Sequence, residues 1–434
     1  MGVHVFPSST TQTHTIPCFA DLSKYAVTEN GFLPADLPLR RLPRYYEPWE
    51  AIITKLSKLL AHDLLHDEIR HLPILSVHKL QTVAEWRRAY VILAFFTHGY
   101  IWGGPKPSEI LPPQVAVPFA AISQHLELPP VATYAALNLW NFTSASPDFS
   151  TLDALQSLHT MTGTLDEAWF YLVSVAVEAQ GAPAIQILLR AMESAEAQDY
   201  TGATQRLEEI VPHIHRLGKV LMRMSEKCDP DVFYDDIRPF LAGSKNMASA
   251  GLPNGVFYDY GDGRGEWMQV RGGSNAQSSL IQFLDLALGV RHESNGEVKA
   301  VGTGPVRSFH EEMRDYMPGP HRRFLEDVSA ASKIQEFALR PGHAVQQTRL
   351  RDAYQAALQA LSDFRGLHLQ IVTKYIIIPS RRSKQTLRTN LASMSSDVAK
   401  QKDGALTGTG GTDLMPFLKQ TRQETEDAGK TVLH

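Results

Sequence analysis

The chain has 434 residues, 43% hydrophobic and 20% charged, with a formal net charge of −4. This is an ordinary globular balance with room for two or three domains, and it gives no electrostatic reason to expect nucleic acid or membrane binding. Its two cysteines, Cys18 and Cys228, are far apart and sit in no CxxC or Cys/His pattern, which argues against a disulfide framework and a zinc site.

The opening "MGVHVFPSSTTQTH" has no basic stretch ahead of an apolar run. It also lacks the Ser or Thr at position 6 that a myristoylation motif wants. No apolar run approaches the ~20 residues that span a bilayer, so the cytoplasm is the expected setting. Residues 1–45 are rich in Pro, Ser and Thr and predict an extended arm. From there the pattern is helical. "YEPWEAIITKLSKLLAHDLL" and "TVAEWRRAYVILAFFTHGYIWGG" repeat apolar residues three and four apart, and "ELPPVATYAALNLWNF" reads as a Pro-initiated helix. The polar, turn-rich 144–153 is the best boundary between a small helical domain, 46–150, and a large one, 151–434.

Long helical patterns occupy 165–196 and 200–227, and a shorter one, "DPDVFYDDIRPFLAG", opens on Asp-Pro and closes at Gly243. Residues 244–275 read as loop with room for a short hairpin. "SNAQSSLIQFLDLALGV" then starts with Ser-x-x-Gln, a capping-box signature. Residues 380–406 are polar and Ser/Lys/Arg-rich, which predicts a mobile loop reaching to 412, followed by a last short helix. No internal repeat and few strands are legible, so the fold class is mainly α.

The stretch "LSDFRGLHLQIVTKYIIIP" contains one histidine in apolar company. "YIII" alone could be a strand. The longer pattern favours a helix, because Leu350, Tyr354, Ala357, Leu361, Phe364, Ile371 and Tyr375 are spaced three and four apart with a single gap. His368 fills that gap and takes a core-facing place, with Pro379 as the stop. Two readings stay open on pattern alone: a buried neutral histidine bonded to a backbone carbonyl, or a single axial ligand of haem iron.

Six stretches, in order "LELPPVATYA", "WFYLVSVAVEA", "GGSNAQSSLIQFLD", "MRDYMPGPHRRFL", "LHLQIVTKYIIIP" and "GTGGTDLM", resemble the indoleamine 2,3-dioxygenase family, its fungal members included. The resemblance runs from about Leu42 to about Thr421. It implies a two-domain helical haem protein that inserts O2 across the indole 2,3-bond of L-tryptophan, giving N-formylkynurenine on the route towards NAD. It implies haem b, ferrous when active, O2 as co-substrate, a reductant and a monomer. Position by position, His368 matches the proximal ligand of the iron, and Asp285 and Arg365 match a pair near the haem. Tyr134, Phe170, Ser174, Phe233 and Arg238 match substrate-pocket positions, and Thr409 matches the residue that meets the amino-acid end. Gly273, Ser274 and Asn275 match the turn against the haem edge.

Arg238 has its own rationale, since a guanidinium binds a carboxylate through two parallel bonds. Taken singly, Phe170 and Phe233 read as plain core, and Asp285 and Arg365 as a generic ion pair. Asn275 is larger than the alanine of the mammalian relatives, and Leu137 is larger than their cysteine, so the fit of the inner pocket is expected to differ. The matched pocket offers no acid or base side chain, so no protein group is expected to act as one. "GTGGT" lacks the Lys-Ser/Thr of a phosphate loop and reads as the end of a lid. The competing expectation is a low-activity or non-catalytic paralogue that senses haem or tryptophan.

Overall fold

The computed structural model describes residues 19–293, 307–381 and 414–430, and among them the fold is mainly α. Most of the expected loop, 382–413, lies outside the described residues, and Thr409 with it. The first pattern breaks into three short helices, α1 (Glu47–Ile53), α2 (Leu56–Ala61) and α3 (Leu65–Arg70). The second is one helix, α4 (Val83–Trp102), opened by a capping box between Thr82 and Glu85 and buried throughout from Arg88 onwards. α5 (Pro113–Leu126) ends at Glu127, whose φ of 56° turns the chain out of the helix.

The expected Pro-initiated helix is reduced to a π turn, Ala135–Leu139. Its first residues are held out of the helix by other bonds. The Pro129 and Val131 carbonyls accept from the Tyr90 hydroxyl, and the Pro130 carbonyl accepts from Tyr258. The Tyr134 N–H goes to Gln277 Oε1 at 2.9 Å rather than to a helix carbonyl. A small antiparallel pair follows, β2 (Phe142–Ser144) with β3 (Leu155–Ser157), so the turn-rich 144–153 connects its strands. β1 (Ile110–Leu111) pairs parallel with β4 (Val256–Gly261), which forms a hairpin with β5 (Arg264–Met268).

The frame of the C-terminal half is three long helices packed side by side: α6 (Leu165–Glu196), α7 (Tyr200–Met222) and α14 (Val345–Val372). α6 is long and apolar enough to cross a bilayer, which the sequence pattern did not lead one to expect, and 72% of its most apolar window is buried in the fold. The expected helix 200–227 is interrupted at Arg223, leaving α8 (Met224–Lys227). The segment to Gly243 is α9 (Pro230–Val232), a π turn Phe233–Ile237 and a 3-10 turn Arg238–Leu241.

Ser274 caps only a 3-10 turn, and α10 (Ser279–Leu288) takes Ser278 as its cap. The expected capping box does not form at Ser274, because Gln277 is already bonded to Tyr134 and to the Gly272 carbonyl. α11 (Phe309–Arg314), α12 (Gly319–Ala331) and α13 (Ile334–Ala338) lead to α14. α14 passes into a π turn, Thr373–Ile377, and then α15 (Ile378–Ser380). The helical path ends at Ser380, one residue past the expected stop at Pro379. The π turn changes the hydrogen-bond register ahead of it, and the missing N–H is tolerated. α16 (Leu414–Asp427) packs back along α14.

One cluster of buried hydrophobic residues runs from Leu22 to Tyr375. The described part of the arm joins it, with the Phe32 ring 4.9 Å from His321 and 5.7 Å from Phe324. α4 is tied to the segment after α9 by two bonds, from Trp102 Nε1 to the Ala242 carbonyl (2.9 Å) and from His98 Nδ1 to the Phe240 carbonyl (2.6 Å).

Candidate functional site

Several parts of the chain enclose a largely apolar cavity with an empty volume of about 1030 Å³, part of it continuous with solvent. The π turn 135–139 brings Leu137 and Asn138, with Tyr134 just before it. α6 brings Phe170, the segment after α9 brings Phe233, Arg238 and Leu241, and the glycine turn brings Gly273, Ser274 and Asn275. α14 and its π turn bring His368, Ile371 and Tyr375, and α16 brings Leu414 and Phe417.

Gly273 is fixed by close packing. A Cβ there would lie 2.6 Å from Leu137 Cδ1, and one on Gly272 would lie 1.9 Å from the Leu241 carbonyl oxygen. Phe170 and Phe233 meet with ring centroids 4.8 Å apart, and Tyr375 stands edge-on to Phe233 at 5.7 Å. The Tyr375 hydroxyl donates to the Cys228 carbonyl (2.8 Å), and burial pushes the Cys228 thiol up to about 12.

His368 is half-buried, with its accessible surface on the cavity wall. Burial, and then the Arg365 charge, pushes its pKa down to about 4, so the ring is neutral near pH 7. The carbonyl bond expected of a satisfied core histidine is not formed: among the described residues no hydrogen bond reaches the His368 ring. His98 shows the contrast. It is also neutral, pushed down to about 4 by burial, but its Nδ1 donates to Phe240 and its Nε2 accepts from the Ala132 N–H at 3.0 Å. A neutral imidazole with an unclaimed nitrogen on an apolar cavity wall suits a lone axial bond to a flat metal cofactor. Among the described residues no three of His, Cys, Asp and Glu gather elsewhere to hold a metal.

Arg238 is 1% exposed, not the surface residue its Arg-Pro context suggests, and its guanidinium lies 5.4 Å over the Tyr234 ring. Burial lowers its pKa. Ser174 is buried next to the Tyr134 hydroxyl but is not in the cavity wall. Asp285 and Arg365 are not in the wall either. They pair behind it, with Arg365 Nη2 2.6 and 2.7 Å from the two Asp285 oxygens and Nη1 2.8 Å from Thr425.

Several residues went unnoticed in the sequence. Leu414 and Phe417 are three apart on a short apolar stripe, a legible signal. Asn138 is a buried amide whose Nδ2 donates to the Tyr134 carbonyl (3.2 Å) while its Oδ1 has no partner among the described residues. Glu178, one turn after Ser174, is 1% exposed and accepts from the hydroxyls of Tyr134 (3.0 Å) and Ser278 (2.6 Å). Burial outweighs those donors and pushes its carboxyl up to about 7.

A mainly helical frame thus encloses one apolar cavity whose wall holds both a neutral histidine and a buried arginine. The indoleamine 2,3-dioxygenase family model matches residues 21–428. The chain is 40% identical to an indoleamine 2,3-dioxygenase of Saccharomyces cerevisiae over 428 residues, covering 93% of this chain and 92% of the relative. It is 39% identical to one of Penicillium citrinum over 417 residues (94% and 88%), and 39% identical to a 6-hydroxytryptophan 2,3-dioxygenase of Fusarium equiseti over 396 residues (91% and 94%). The chain belongs to the indoleamine 2,3-dioxygenase family.

Proposed function

We propose that this chain is a haem-dependent dioxygenase that opens the indole 2,3-bond of L-tryptophan to give N-formylkynurenine. The observation that carries this reading is His368, a neutral ring with no hydrogen bond among the described residues, on the wall of an apolar cavity that also holds the buried Arg238. When bound there through His368, haem b supplies the ferrous iron that activates O2.

The protein's part is to bind, orient and exclude water. Phe170 and Phe233 together form an aromatic wall against which the indole packs, and Arg238 takes the carboxylate by charge-assisted bonds, which fixes the ring against the cofactor. Apart from His368, no Asp, Glu or His lines the cavity among the described residues, and the Tyr134 hydroxyl is committed to Glu178. The described part of the wall therefore supplies no carboxylate or free imidazole for proton transfer, which supports a reaction without a protein base. Asp285 and Arg365 steady the helix that carries His368 from behind.

The proposal extends to a cytoplasmic monomer feeding a route towards NAD, supplied by a reductant for the iron. It also extends to a small N-terminal unit, 46–150, set over a larger one, 151–434. The test is incubation of the purified chain with haemin, a reductant and L-tryptophan, following N-formylkynurenine. Bound haem without product overturns the enzyme reading and leaves a haem- or tryptophan-sensing protein.

A second substrate reading is favoured by Asn138, which lines the cavity and whose buried Oδ1 has no partner among the described residues. An acceptor there favours a ring hydroxyl, and the Fusarium relative is named for 6-hydroxytryptophan. A higher kcat/KM on 6-hydroxytryptophan than on tryptophan, lost in Asn138→Val, would establish it.

A further inference from the structure

Behind the cavity, just past the end of α10, His292 is wedged between two carboxylates. Its Nε2 is 3.2 Å from Asp285 Oδ2 and its Nδ1 is 2.6 Å from Glu424 Oε2. The His292 side chain is 7% exposed. Glu424 belongs to α16, while Asp285 belongs to α10 and holds Arg365, one turn before His368 on α14. The Glu293 N–H (3.1 Å) and Gln420 Nε2 (2.6 Å) donate to the other Glu424 oxygen.

A neutral imidazole has one N–H, and here each ring nitrogen faces a carboxylate oxygen. Only the imidazolium donates to both. The charges then balance within the cluster, Asp285 and Glu424 against Arg365 and His292. On its face, His292 stacks on His310 of α11 with centroids 3.9 Å apart, and His310 stacks in turn on Phe417 at 5.1 Å. Phe417 lines the cavity.

We infer that His292 is a positioning residue whose imidazolium ties α16, one wall of the cavity, to the α10–α14 pair that carries His368. Its effect on turnover rests on the function proposed above, whereas the docking of α16 is a property of the chain alone. Among the described residues the charged and titratable groups around His292 are Asp285 from α10, Glu424 from α16, Arg365 from α14, His310 with the more distant Glu311 and Arg314 from α11, and the chain neighbours Arg291 and Glu293. His310 is kept neutral by burial and then by the His292 charge. Burial alone would discharge His292, but the Asp285 charge and the bonds to Asp285 and Glu424 outweigh it and leave its pKa raised. A raised pKa makes the contribution fully present below the unfolded value of about 6.5, and it is lost as pH rises through the folded value. α16 is therefore held more tightly on the acid side.

Hydrogen exchange over 414–427 in the full-length chain without haem reads this docking directly. His292→Ala should speed exchange there on the order of tenfold or more while α5 is unchanged. In the wild type, exchange corrected for its intrinsic pH dependence should accelerate as pH rises above about 6.5, and in His292→Gln, which cannot be charged, that dependence should vanish. Wild-type protection of α16 in His292→Ala would overturn the inference, as would an unchanged pH dependence in His292→Gln. If His292→Ala loosens α5 as well, the His292→Gln profile decides. A wild-type chain that binds haem but makes no N-formylkynurenine defeats the proposed function and leaves the exchange result standing.

Discussion

His98 and His368 are both neutral helix residues in apolar surroundings, and they differ in what surrounds the ring. His98 has both nitrogens bonded to the backbone, and His368 has neither bonded among the described residues. His368→Ala should therefore abolish stable haem binding, read as loss of the Soret band and of haem stoichiometry, with little change in the far-UV spectrum. Arg238→Ala should lower kcat/KM for tryptophan by a factor equivalent to roughly 2–5 kcal/mol, and much less for an indole lacking the carboxylate. Equal losses on both substrates would make Arg238 structural. Glu178 gives a third test. Its carboxyl is pushed from its ordinary value of 4.5 up to about 7 by burial, so the folded state holds a proton that the unfolded state releases. Stability should fall between those pH values by about 3 kcal/mol, and Glu178→Gln should remove that slope in urea unfolding. His368 was legible in the sequence because it fills one gap in a stripe. The roles of Glu178 and His292 were not, because their partners Tyr134, Ser278 and Glu424 come from remote parts of the chain.

The long helices α4, α6, α7 and α14 were legible because many residues repeat one period. The irregular elements were not, and these build the cavity. Each π turn among the described residues contributes to its wall: Leu137 and Asn138 from 135–139, Phe233 from 233–237, and Tyr375 from 373–377. A π turn inserts one residue into the helical period, so a stripe read at three and four loses its phase there. The glycine turn facing them is equally specific. At Gly272 an added methyl meets backbone, the Leu241 carbonyl, whereas at Gly273 it first meets the end of the Leu137 side chain. Gly272→Ala should cost roughly 3 kcal/mol or more in thermal unfolding. Gly273→Ala should cost less, about 1 kcal/mol, and act mainly by pushing Leu137 into the cavity, read as weaker tryptophan binding.

Across the whole molecule, the arm, the N-terminal helices and the helical frame share one core. Far from the cavity, Glu50 joins the first two. It receives the Leu42 N–H (2.8 Å) and the Arg88 guanidinium (2.7 and 3.1 Å), and both side chains of the ion pair are 2% exposed. Arg88→Ala leaves a buried carboxylate unpaired and should cost about 3–5 kcal/mol in stability, with haem affinity of the folded chain unchanged in a Soret titration. Closer to the cavity, Cys228 offers something of practical use. Its thiol is buried and its pKa is pushed up to about 12, so at pH 8 roughly one molecule in 10⁴ carries the reactive thiolate even before access is considered. Its backbone carbonyl meanwhile anchors Tyr375 of the cavity wall. Alkylation at this position therefore becomes a built-in clock for wall opening. Iodoacetamide should modify Cys228 slowly in the folded chain, and more slowly still once ligands fill the cavity, as peptide mass mapping would record without any introduced label.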